Sequence, residues 1–172
     1  MAFKLNGTLS PYGAPVKLVR TLANTVTYVT NDSVKLASGF VALGTAGALV
    51  FGHVTALSDK RGLGLSSTGV AGAEFGSFLG SFLTASNNQT VVLAKAECDV
   101  SKMTLYSAEV SATLGGTTGS DLPGYRFDLV DEDTLDETSS TTGSAQYYSH
   151  GIDPENSARV IVNIYESEVY GV

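Results

Sequence analysis

The feature that most limits what this chain can fold into is how often it is interrupted. Glycine, proline, asparagine and aspartate recur every few residues, and the 19 glycines are spread through most of the length. Between the breaks, apolar and polar residues alternate with a period of two, the signature of a half-buried strand. Thr25-Val26-Thr27-Tyr28-Val29-Thr30 alternates and is β-branched, and Asn31-Asp32 follows as a turn signal. Ser33–Leu36 and Phe40–Leu43 form two short strands around Ser38-Gly39, and Ala48–Leu57 reads as the next. Within it Gly52 marks a bulge or a close backbone approach. Further strands are expected within 91–100, at 104–106, 108–110, 125–130 and 146–150, and at 158–165, with 153–157 as a turn. Residues 115–120 read as a flexible loop and 131–145 as a long unstructured connection.

One segment changes period. Phe75, Phe78, Leu79, Phe82 and Leu83 fall at i, i+3, i+4, i+7 and i+8, the stripe of an amphipathic helix. Gly76 and Gly80 oppose it, at about 1 kcal/mol each relative to alanine. A short helix near residues 70–85 is the expectation, with a pair of short strands as the alternative. The expected fold is therefore mainly β: a compact β-barrel or β-tulip-like domain. Gly7, Pro11, Gly13 and Pro15 make residues 1–20 an extended N-terminal arm. Residues 21–172 form the β-rich domain, divisible into lobes at about 21–65 and 90–172. With 172 residues, 43% apolar content and a net charge of −7, the chain can build a core and lacks the composition of a disordered one.

Charge is unevenly placed. Residues 1–96 carry seven bases and three acids, net +4, whereas residues 97–172 carry three bases and fourteen acids, net −11. Such polarity arises by chance or lets oppositely charged faces meet between neighbouring copies. The densest acidic run is Asp131-Glu132-Asp133-Thr134-Leu135-Asp136-Glu137. Tested as a calcium loop from Asp131, it puts Leu135 at position 5, Asp136 where glycine belongs and Thr142 where glutamate belongs. Starting from Asp128 also fails, with Val130 at position 3. Its Ser/Thr-rich setting offers little of the desolvation that makes a carboxylate a general acid. It reads as an exposed acidic loop or as a contact surface for a basic partner.

Other chemistry is sparse. Cys98, the single cysteine, sits in an alternating apolar segment and reads as a buried, inert thiol. His53 lies inside an apolar strand as a satisfied core or surface histidine, and His150 sits at a strand end. Gly62–Gly69 is glycine-rich but lacks the spacing of a phosphate-binding loop. No cofactor, metal or enzymatic activity is expected. No basic patch is visible, which disfavours nucleic acid. No run reaches the ~18 apolar residues of a membrane helix, and no apolar signal core opens the chain. Synthesis in the cytoplasm is expected, with the Asn6, Asn31 and Asn88 glycosylation patterns as chance matches.

Two blocks carry a family likeness. Residues 25–57, "TVTYVTNDSVKLASGFVALGTAGALVFGHVTAL", resemble small-barrel head-decoration proteins of tailed bacteriophages, with Asn31-Asp32-Ser33 standing where a Gly-Asp turn is usual. Residues 97–168 look like phage structural proteins of the same type. The resemblance implies a capsid cement protein without an active site. It would bind the outer surface of the expanded head through the major capsid protein, and assemble as a homotrimer on the virion exterior. On that reading Lys4, Lys17 and Arg20 of the arm contact the capsid. Phe75, Phe78 and Phe82, with Asp131, Glu132 and Asp133, are candidates for the subunit interface, the phenylalanines having an intrachain core as their alternative. Rival readings are a tail, fibre-base or head-completion protein, and a small carbohydrate- or surface-binding β module, for which the Tyr147-Tyr148 pair is the local hint.

Overall fold

A computed structural model of the chain describes residues 3–9, 16–22, 28–58, 64–65, 95–111, 123–136 and 145–165. The segment expected to be a helix near 70–85, with Phe75, Phe78 and Phe82, lies outside the described residues, as does the loop at 115–120. Among the described residues all regular structure is strand. The twelve strands are β1 (Phe3–Thr8), β2 (Lys17–Thr21), β3 (Ser33–Ala37), β4 (Phe40–Leu43), β5 (Gly52–Ser58), β6 (Gly64–Leu65), β7 (Lys95–Asp99), β8 (Thr104–Val110), β9 (Arg126–Leu129), β10 (Thr134–Asp136), β11 (Tyr147–Asp153) and β12 (Asn156–Ile164).

They form two sheets. The first runs β2-β7-β5-β3-β4, with β6 beside β5, and every pair in it is antiparallel. It curls until Leu22, just past β2, meets Val41 of β4 in a parallel bridge. The second runs β8-β10-β9-β11-β12 and closes when β12 pairs back onto β8, giving a five-stranded barrel. Strand β1 is extra to that closure and lies along β8. The mainly β, barrel-forming expectation is met.

Local chemistry explains the strands. Ser38 and Gly39 both take positive φ (52° and 84°), the backbone of a two-residue hairpin turn whose twist suits the flanking strands. In β11, Tyr147, Ser149, Gly151 and Asp153 face inward while Tyr148, His150 and Ile152 face outward, the period of two seen in the sequence. Asp153 pairs with Asn156, and its carboxylate accepts a hydrogen bond from the Glu155 amide, so the β11–β12 turn is tighter than the five-residue connection expected. Residues 104–110 are one strand rather than two pieces.

Three expectations are corrected. Residues 28–30 are not strand: the Asp32 carboxylate accepts the Val29 amide at 2.7 Å and folds this stretch into a turn, while 25–27 lie outside the described residues. The connection at 131–145 contains β10, because Leu135 is fully buried in the barrel core. Within the arm expected at 1–20, the described residues 3–9 and 16–20 do not stand apart from the domain. β1 pairs with β8 and buries Phe3 completely, and β2 pairs along its whole length with β7. The physical reason is Phe3, a large apolar side chain placed where it can fill the space between the sheets.

Gly52 is the close approach that the sequence suggested. A Cβ there would run into the carbonyl of Asp99 on the neighbouring strand. Gly7 has nothing within 4 Å of the corresponding position. Gly52→Ala is expected to cost about 2–3 kcal/mol in urea unfolding and Gly7→Ala less than about 0.5 kcal/mol. Equal losses would contradict the packing described.

Candidate functional site

The densest polar chemistry lies between the two sheets. It starts at His53 of β5 in the first sheet and at Tyr147 of β11 in the second, both buried. His53 Nδ1 lies 3.2 Å from the carbonyl of Asn31, so this nitrogen carries the proton and donates. Nε2 is then an acceptor, and the Tyr147 hydroxyl donates to it at 3.0 Å. That leaves the Tyr147 oxygen to accept from Ser33 Oγ at 2.8 Å. The proton inventory thus has one consistent reading, Ser33 to Tyr147 to His53 to Asn31.

Aromatic rings enclose the chain of hydrogen bonds. Phe3 lies 4.5 Å from His53 between ring centroids, and Tyr106 lies 4.1 Å from it at 34°. Phe3 also meets Tyr147 at 5.2 Å. Tyr106 donates to Asp99 Oδ2 at 2.7 Å, while Asp99 Oδ1 accepts the Ser101 amide and shapes the crossing from β7 to β8. A second set of contacts docks the 44–50 loop of the first sheet on the barrel. Gln146 receives the Leu129 amide at 2.7 Å and donates to the carbonyls of Thr45 and Ala48. Asp128 accepts the Gly47 amide, and Val50 enters the barrel core.

Burial sets the titration. It pulls His53 down to about 4, against the hydrogen bond to Asn31 and the attraction of Asp99, so the ring is neutral at pH 7. It drives the Tyr106 and Tyr147 phenols upward, so both remain protonated donors. It pushes the Cys98 thiol up to about 12, as expected of a buried inert cysteine. Asp32, beside the seam, is pushed up to about 7 by burial, with repulsion from Glu132 and Asp133 outside it.

Serine, histidine and aspartate are all present, yet not in the contacts of a nucleophilic triad. Ser33 reaches Tyr147 rather than His53, and the carboxylate of Asp99 serves Tyr106 and the Ser101 amide. Ser33, His53, Tyr147 and Asp99 are each at most 1% exposed. What this arrangement does is hold two sheets at one register. No cluster of three metal-ligating side chains occurs among the described residues.

The other residues singled out in the sequence lie elsewhere. Lys4 projects from β1, 4.0 Å from Glu155. Lys17 pairs with Glu97 at 2.7 Å, which pulls the Glu97 carboxyl below its ordinary range. Arg20 lies 5.9 Å from the Phe51 ring centroid. These three do not converge with the acidic segment on one site. Asp131, Glu132 and Asp133 form the turn between β9 and β10, and the Glu132 carbonyl accepts the Ser33 amide at 2.7 Å. The acidic turn thus braces the seam through its backbone. The Tyr147-Tyr148 pair divides, Tyr147 going to the core and Tyr148 to the outer wall. Sequence reasoning read His53 as a satisfied core or surface histidine, of which the structure shows the core form, and gave no role to Ser33, Asp99 or Tyr106. The period-two register of β11 was the available signal for Tyr147.

Comparison with known proteins finds no match, whether among family models, curated proteins or solved structures.

Two outcomes test the seam. Tyr147→Phe leaves His53 Nε2 and Ser33 Oγ without a partner and is expected to cost about 1–3 kcal/mol in urea unfolding. The pH dependence has two opposed parts. His53 is depressed, so its contribution is present above about 6.5 and is lost as pH falls through about 4. Asp32 is raised, so its contribution is present below about 3.8 and is lost as pH rises through about 7. Asp32→Asn is therefore expected to gain about 2 kcal/mol at pH ~8 and to lose stability more steeply than wild type as pH falls from 6.5 to 4. Thermal unfolding across this range reads both.

Proposed function

We propose that this chain is a structural protein of a tailed-phage virion, binding the outer surface of the expanded head through the major capsid protein and stabilising it. The observation that carries this reading is the edge formed by β1. Among the described strands β1 pairs with β8 alone, and Lys4 and Leu5 stand exposed on it. Leu5 on this strand is 55% exposed, and Leu9 and Met103, joined by the Leu9 amide to the Met103 carbonyl at 2.7 Å, are about half exposed beside it. An edge strand with apolar residues is a template for an added strand, and Lys4 supplies positive charge there. The resemblance of residues 25–57 and 97–168 to decoration proteins supports the same partner. Many such contacts repeated over a lattice hold by avidity without a tight single site.

Trimer formation belongs to this proposal. Asp131 is exposed and Glu132 and Asp133 are half-buried, which leaves their carboxylates available to a neighbouring copy. Truncating the first strand is not a clean test, because Phe3 belongs to the seam core. Substituting outward residues is. The double variant Lys4→Glu, Leu5→Asp is expected to remain folded and to bind purified expanded heads at least about tenfold more weakly, a loss of about 1.4 kcal/mol. Sedimentation with heads measures it, and undiminished occupancy would contradict the proposed edge.

A further inference from the structure

The outer wall of the barrel carries a strip of aromatic and polar side chains. Arg126 of β9 and Asn163 of β12 stand opposite Tyr148 of β11 in the register, so the three share the outward face. Tyr165, just past β12, continues that face. The Tyr148 and Tyr165 rings lie 6.4 Å apart at 23°, and the Arg126 guanidinium lies 4.1 Å from the Tyr165 centroid. His150 meets Tyr148 at 5.3 Å and places Nε2 2.8 Å from Asn163 Oδ1, so this nitrogen donates and Nδ1 is left as an acceptor.

Two cations elsewhere on the surface are paired. Arg159 and Lys17 are held by Glu109 and Glu97 at 2.7 Å each. Arg126 has no hydrogen bond or ion pair among the described residues, and neither do the hydroxyls of Tyr148 and Tyr165. Gly124 keeps one end uncovered: it has φ +94°, and a Cβ there would lie 3.6 Å from the Tyr148 hydroxyl.

We propose that this strip is a binding site for a carboxylate-bearing saccharide. Tyrosine rings offer flat apolar area to the C–H face of a sugar, with hydroxyls at the rim for its polar groups. Arg126 supplies the planar set of donors that matches a carboxylate. An acidic glycan fits better than a nucleic acid, because the strip holds one guanidinium, which suits a single carboxylate, rather than the row of cations that neutralises a phosphodiester backbone. The site stands independently of capsid binding, since it uses β9, β11 and β12 rather than β1.

The test titrates the full chain with short oligomers of galacturonate, mannuronate, hyaluronate and sialyl-lactose, with neutral dextran and cello-oligomers, and with a single-stranded oligonucleotide. The Tyr148 and Tyr165 ring resonances are the readout. At least one acidic oligomer is expected to shift both rings, and neutral oligomers to bind at least about fivefold more weakly. Arg126→Gln is expected to erase that difference, and Tyr148→Ser to abolish binding with the barrel still folded. Should Tyr148→Ser unfold the barrel, Tyr165→Ser takes its place. The proposal is overturned if no acidic oligomer shifts the rings, if neutral oligomers bind equally, if Arg126→Gln keeps the preference, or if only the oligonucleotide binds.

Discussion

A neutral histidine between two sheets is the constraint on which the rest of this structure depends. His53 donates to Asn31 in the turn before β3 and accepts from Tyr147 in the other sheet, and Ser33 completes the chain. In water each of these bonds would be worth little, because water would replace it. Here Ser33, His53 and Tyr147 are all buried, so breaking a bond among them strands polar groups where water cannot reach them. That asymmetry fixes the register of the two sheets more firmly than their apolar contacts alone, because apolar surfaces tolerate sliding and directed hydrogen bonds do not. The low affinity of His53 for a proton follows from the same burial, and so does the need for neutrality: a charged ring would have to reverse the Tyr147 bond.

The seam also explains why β1 is tied to the middle of the molecule. Phe3 stacks against His53 and Tyr147, so the first strand of the chain is held where the two sheets meet. The 44–50 loop reaches the other way, inserting Val50 into the barrel and engaging Gln146 and Asp128. The acidic turn at 131–133 contributes a backbone carbonyl to Ser33. Its carboxylates stay near Asp32, raising the pKa of that group further above what burial alone produces. A segment that looks in isolation like a solvated acidic loop is thus part of a brace. The β1 edge and the Arg126–Tyr165–Tyr148 strip lie outside this brace.

Elements set by local rules were legible in the sequence. The Ser38-Gly39 hairpin and the strands at 33–36 and 40–43 follow from turn chemistry and period and appear where those signals put them, and the strand expected at 146–150 is present but runs on to Asp153. So does Gly52, whose missing side chain marks a backbone contact. Where non-local packing decides, the reading fell short. Nothing near Phe3 in the chain indicates that His53, Tyr106 and Tyr147 wait to enclose it, so a Gly/Pro-rich beginning read as an arm. Leu135 stood alone among acids and read as loop, yet one buried leucine made a strand of it. Residues 28–30 had strand character that Asp32 overrode by capping Val29. The seam was hidden for the same reason, since its members come from β1, β3, β5, β7, β8 and β11 and share no sequence spacing. His53 alone was readable, because a lone histidine in an apolar strand must find partners.

The wiring of His53 is open to direct measurement by nitrogen NMR of the imidazole ring. The account requires the neutral tautomer with the proton on Nδ1, and nitrogen shifts that stay constant from about pH 7.5 down to about pH 5.5, because the native ring resists protonation until about 4. A proton on Nε2, or a titration centred near the ordinary histidine value of about 6.5, would contradict it.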